Sequence, residues 1–137
     1  MGTAKSFEDE AVKSGSCLNQ QIYGNSVLNC VQESEHIIIY GAGKIGQEML
    51  LCLLNLRCLK EKIFFAVIDI DKNKRQIDEI PVQKIDAYQK WKQSAMVVVA
   101  VKGQYQFEVL EVLEKKGFVE TVVVDDIVRN SMRKLLK

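Results

Sequence analysis

The stretch His36-Ile37-Ile38-Ile39-Tyr40-Gly41-Ala42-Gly43-Lys44-Ile45-Gly46 decides how this chain is read. Its first half is an unbroken apolar run rich in β-branched residues. Such a run suits a strand buried on both faces, as in a parallel sheet. Its second half sets glycine at 41, 43 and 46. Beyond it, Ile45, Met49, Cys52, Leu53 and Leu56 recur at helical spacing and form one apolar stripe.

Strand, glycine turn and helix together give Gly-x-Gly-x-x-Gly a physical meaning. Gly41 permits the tight turn off the strand. Gly43 lets a phosphate approach the backbone with no Cβ in the way. Gly46 allows close packing of helix on strand. The helix N-terminus then offers unpaired N–H groups and a partial positive charge to an anion. Lys44 adds a mobile cation at the rim. The competing reading is a glycine-rich turn that only packs.

Working outward, Ile63 to Asp69 reads as a second buried strand and Asp71 to Glu79 as a polar loop. Ile80-Pro81-Val82 is expected to be at most a short edge piece, because proline cannot donate to a ladder. A helix is expected from Ile85-Asp86, with Asp86 as N-cap and Tyr88 and Trp91 facing inward. Ala95 to Val101 is a third strand. Phe107, Leu110 and Leu113 mark the next helix, which Gly117 closes. Val119 to Val124 is a fourth strand. Asp125-Asp126 opens a last helix, with Ile127, Val128, Met132, Leu135 and Leu136 inward and Arg133, Lys134 and Lys137 at its basic end. That polarity suits the helix dipole. In residues 1–34, Leu18, Ile22, Val27, Leu28 and Val31 suggest one or two short helices, an N-terminal arm to a domain spanning 35–137. The alternation predicts an α/β fold: a doubly wound, Rossmann-like parallel sheet of four to five strands with flanking helices.

In an open parallel sheet the ligand lies in the crevice beyond the carboxyl ends of the strands. Asp69 follows Gly46 at about the 20-residue interval where an acidic residue holds a ribose. Asp71 is an alternative for that role. A carboxylate there favours a ribose diol over a 2′-phosphate, and so NAD over NADP if the ligand is a dinucleotide. Val101 and Lys102 end the third strand and face the same crevice. The expected binding set is therefore Gly41, Ala42, Gly43, Lys44, Ile45, Gly46, Asp69, Asp71, Val101 and Lys102.

Composition narrows the function. The chain has 137 residues, enough for one domain with a real core. The net charge of +1 gives no global field for nucleic acid. The apolar runs fall short of the roughly 20 residues of a membrane span. Glu8, Asp9 and Glu10 do not resemble a signal peptide, so the expected location is cytoplasmic. The cysteines at 17, 30, 52 and 58 form no Cys-x-x-Cys pair, and one histidine, His36, accompanies them. No metal site is expected, and Cys52 and Cys58 read as buried free thiols. His36 lies at the strand end opposite the crevice and reads as structural. No nucleophile elbow, paired carboxylates or Ser–His–Asp set is visible, so no catalytic residue is assigned.

The stretches "IIIYGAGKIGQEML", "FFAVIDIDKNK", "IPVQKID", "VVVAVKGQYQFEVLEVLEKKGF" and "VVV" resemble the nucleotide-binding modules of bacterial surface-polysaccharide proteins. These are the N-terminal domains of sugar O-acyltransferases and similar modules attached to glycosyltransferases. The resemblance covers about two thirds of the chain. It implies a nucleotide-sugar site at Gly41, Gly43, Lys44, Ile45 and Asp69. The hexapeptide repeat that carries the acyltransferases' chemistry is not present in this sequence, so an attached catalytic domain or a stand-alone module is expected. A further likeness is to the ligand-sensing domains of potassium transporters. The first reading is thus a module that binds NAD or a UDP-sugar in glycan assembly, without catalysis of its own. The alternatives are a small NAD-dependent oxidoreductase or sugar-nucleotide-modifying enzyme, a regulatory sensor, and a methyltransferase. A homo-oligomer is compatible with each.

Overall fold

A computed structural model describes residues 23–67 and 76–136. Its centre is β1 (Ile37–Tyr40), every residue of which is buried. β1 pairs in parallel with β2 (Ile63–Val67) on one side and β5 (Met96–Val99) on the other, Ile37 standing level with Ile63 and Met96. Helices cover both faces of the sheet at β1, so it has no wet face and its apolar run does not alternate. Its side chains do alternate in destination. Ile37 and Ile39 enter one core, with Leu50, Leu53 and Met132. Ile38 and Tyr40 enter the other, with Tyr88, Val109 and Leu113.

The first core lies under α1 (residues 23–33), α2 (Lys44–Asn55) and α4 (Asp126–Leu135). The second lies under a 3₁₀ segment (Ile85–Trp91) and α3 (Gly103–Lys115). The sheet order is β3-β4-β2-β1-β5-β6, with β3 (Gln76–Ile77), β4 (Ile80–Lys84) and β6 (Glu120–Val123). All pairings are parallel except that of β3 with β4. The chain fills one side of β1 and then crosses to the other. The order therefore reverses between β1 and β5, and a ligand crevice belongs at that reversal. The expected doubly wound, Rossmann-like sheet is present.

Several local expectations are corrected. The sheet has six strands, because Asp78 (φ 52°) and Glu79 (φ 71°) close a tight hairpin inside the presumed 71–79 loop. Two positive φ values in a two-residue connection are the mark of a type I′ turn. β4 is a full strand, not an edge fragment. Its register with β2 runs from Phe65–Val82 to Val67–Lys84, so Pro81 stands outside that ladder and faces only Gln76 of β3. Asp86 caps nothing, since the segment's N-cap is Lys84 with no side-chain bond, and the Asp86 carboxylate pairs with Lys116 instead. Leu136 points to solvent, not inward; in α3, Val109 and Leu113 carry the buried face while Phe107 is exposed.

Other elements behave as their sequence requires. Tyr88 is buried and donates its hydroxyl to the Phe65 carbonyl at 3.0 Å. Trp91 stacks on His36 with ring centres 4.1 Å apart. Leu28 and Val31 bury α1 against the main core. Each fully buried aliphatic side chain contributes roughly 2 kcal/mol, so α1 is bound into the domain, although 1–22 of the expected arm lie outside the described residues. α3 ends in a Schellman motif, with Gly117 (φ 85°) in the left-handed position, Phe118 N–H bonded to Leu113 O and Gly117 N–H to Glu114 O, both at 3.0 Å. α2 ends the same way on Arg57 (φ 65°), with Cys58 N–H to Leu53 O at 2.9 Å and Arg57 N–H to Leu54 O at 3.0 Å.

Candidate functional site

β1 and β5 deliver their ends side by side. Gly41 N–H donates to Ala66 O at 2.9 Å, and Ala100 N–H donates to Tyr40 O at 2.9 Å. At Gly41 the chain turns with φ 117°, and a Cβ there would stand 2.6 Å from Ala100 O. At Gly46, in the first turn of α2, a Cβ would stand 1.9 Å from Gly41 O. The fold itself therefore demands glycine at 41 and 46.

Gly43 is different. A Cβ there would meet no atom within 4 Å. Packing does not explain this glycine, nor Gly103 at the start of α3, where a Cβ would also meet nothing within 4 Å. Gly43 is the N-cap of α2, with φ −86° and ψ −157°, and no side chain closes the helix end. Asp125, the N-cap of α4, has nearly the same backbone (φ −84°, ψ −175°), and its carboxylate accepts from Val128 N–H at 2.9 Å. The same chain thus caps α4 with a carboxylate and leaves the starts of α2 and α3 without a side-chain cap. Bare first-turn N–H groups and the dipole give the start of α2 the chemistry to receive an anion. No acidic residue lies in its first turn.

The other expected residues gather around this end. Ala42 and Ile45 are half-buried and pack on the main core. Lys44 is exposed at the rim. Lys102 is exposed and is the N-cap of α3, also without a side-chain cap bond. Val101 lies between two clefts. One, of about 330 Å³, is bounded by Tyr40, Gly41, Val67, Val101, Tyr105, Glu108 and Val109. The other, of about 250 Å³, is bounded by Ile45, Val101, Lys102, Gly103, Gln106, Val124, Asp125, Asp126 and Arg129. Arg129 ties α4 to α2, its Nε 3.5 Å from Glu48 Oε2. Asp69 and Asp71 lie outside the described residues.

Tyr105, Gln106, Glu108 and Arg129 were not expected at the site. Their one sequence signal is position: they open the helices that follow β5 and β6, just past the strand ends. The arrangement suits an extended ligand with a central anionic group and two unlike ends. The bare end of α2 offers N–H donors to an anion, and a cleft lies on either side of the β5–α3 turn.

The sequence of residues 36–129 matches the family described as NADP oxidoreductase coenzyme F420-dependent. The chain belongs to this family. As a member, it is a Rossmann-like module of the NAD(P)-binding type. The match supports the nucleotide reading and the oxidoreductase alternative. It lends no support to a UDP-sugar ligand or to a setting in glycan assembly. No curated protein and no solved structure matches the chain. Among the described residues of this family member, no helix is long and apolar enough to cross a membrane. Among the same residues no group of three or more His, Cys, Asp or Glu is placed to hold a metal.

Proposed function

We propose that this chain is the dinucleotide-binding module of an NAD(P)-dependent oxidoreductase. The observation that carries the reading is Gly43, a glycine at a bare helix N-cap where a side chain would meet only open space. The diphosphate bridge of the dinucleotide lies there, held by the first-turn N–H groups of α2 with Lys44 at the rim. Gly41, Ala42, Ile45 and Gly46 shape the turn, and Val101 separates the two halves of the ligand.

The larger, more apolar cleft beside Val67 takes the adenosine half. Its Val67, Val101 and Tyr105 side chains offer the apolar and aromatic contacts a purine needs. In sequence, β2 leads toward Asp69, whose carboxylate pairs with a ribose diol and opposes a 2′-phosphate. NAD(H) is therefore the preferred form, with Asp71 the second candidate for that contact. The smaller, polar cleft takes the nicotinamide half. A bound nicotinamide would carry the hydride, and Val101, Gln106 and Arg129 would line the space that holds its ring.

Isothermal titration of the purified chain with NADH, NADPH and UDP-glucose tests this. NADH is expected to bind most tightly, NADPH about tenfold more weakly because of like charge at Asp69, and UDP-glucose weakest. Tighter binding of UDP-glucose than of either dinucleotide would overturn the proposal.

A further inference from the structure

Gln106 sits in the first part of α3, half-buried, at the wall of the smaller cleft. Its Nε2 lies 3.2 Å from Val101 O and 3.2 Å from Val124 O. Those carbonyls lie just beyond the ends of β5 and β6. Two carbonyl acceptors can face only the NH2 side of a carboxamide, because an oxygen there would meet two like partial charges. The amide orientation is thereby fixed. Both Nε2 protons are committed, and Oε1 is left with lone pairs for an outside donor.

We infer that Gln106 Oε1 accepts a hydrogen bond from the carboxamide NH2 of the nicotinamide, and so makes this cleft selective for a ring bearing an amide donor. The inference rests on the dinucleotide reading above. Size and polarity assign the cleft: at about 250 Å³ it is the smaller of the two and is rimmed by Lys102, Asp125 and Arg129. A donor must meet an acceptor whose position is set in advance, and Gln106 is held at both Nε2 protons by main chain. A side chain so held loses little freedom on binding, which makes the contact selective. Gln106 is a specificity residue; nothing in its placement gives it a proton to transfer.

The test compares NAD, ADP-ribose and 3-acetylpyridine adenine dinucleotide by calorimetry on the wild-type chain and on Gln106→Met. The acetylpyridine analogue keeps the ring carbonyl and lacks the NH2 donor. ADP-ribose lacks the ring. Wild type is expected to bind NAD about tenfold more tightly than the acetylpyridine analogue, the worth of one well-placed hydrogen bond. In Gln106→Met the two should bind alike, while ADP-ribose binds both proteins equally and shows that the variant is folded. Equal wild-type affinity for NAD and the acetylpyridine analogue would overturn the inference, and this arm needs no variant. The same ratio in both proteins would overturn it too. ADP-ribose binding with that result would leave the dinucleotide reading standing. Failure of NAD and ADP-ribose alike would overturn both.

Discussion

A β-carbon on Gly46 would stand 1.9 Å from the carbonyl oxygen of Gly41. No rotamer change relieves that contact, because both partners are main chain. Gly46→Ala must push α2 away from the end of β1 and disturb the packing of Met49, Cys52 and Leu53 behind it. Overpacking of this kind costs about 2–3 kcal/mol. The expected result is a fall in Tm of roughly 10 °C, read by circular dichroism. An unchanged Tm would mean that helix and strand are not in this contact.

Arg57 occupies the left-handed position that glycine fills at the end of α3. A side chain there strains the backbone by about 1 kcal/mol or more. Arg57→Gly should relieve the strain, offset in part by the greater freedom of glycine in the unfolded chain. A net gain of about 0.5–1 kcal/mol is expected, or a rise in Tm of roughly 2–4 °C. Arg57→Ala keeps the Cβ and should gain nothing. Equal effects of the two substitutions would assign the change to the lost charge instead.

Burial pushes the Cys52 thiol from its ordinary 9.0 up to about 11, and the Tyr88 phenol from 10.0 up to about 12. For an acid, a raised folded-state pKa means that the unfolded chain loses its proton first. The folded state then holds more protons, and stability falls as pH rises. The Cys52 contribution is intact below pH 9.0 and is lost progressively up to about 11; Tyr88 continues the loss from 10.0 to about 12. Urea melts at pH 8, 10 and 11 should show decreasing stability. Cys52→Ala should flatten the fall between pH 9 and 11, whatever it costs at pH 8. A variant with the wild-type slope would show that this thiol does not titrate on unfolding.

The parts of this structure legible in the sequence are those with strong local chemistry. β1 and the glycine turn announce themselves, because a doubly buried strand cannot alternate and because Gly41 and Gly46 have no substitutes. The β3–β4 hairpin was hidden: Asp78 and Glu79 adopt turn angles usually taken by Asn-Gly, and Pro81 argues against a strand until its register is known. Asp86 looked like a cap because its sequence position fits one, yet a distant lysine, Lys116, claims the carboxylate. At the site, the loop and Val101–Lys102 followed from the rule for parallel sheets. Tyr105, Gln106 and Arg129 did not, since only the sheet order brings α3 and α4 to the same crevice.

The bare cap of α2 is the centre of the functional account, and Gly43→Asp tests it most directly. Aspartate at this backbone geometry would reproduce the cap that Asp125 gives α4, bonding a first-turn N–H and complementing the dipole. The Tm of the variant should equal or slightly exceed that of the wild type. The same carboxylate would fill the open space at Gly43 where the diphosphate is proposed to lie, and would repel it. NADH binding by calorimetry is therefore expected to fall at least about 100-fold in a protein as stable as the original. NADH affinity unchanged in a folded Gly43→Asp protein would contradict the account.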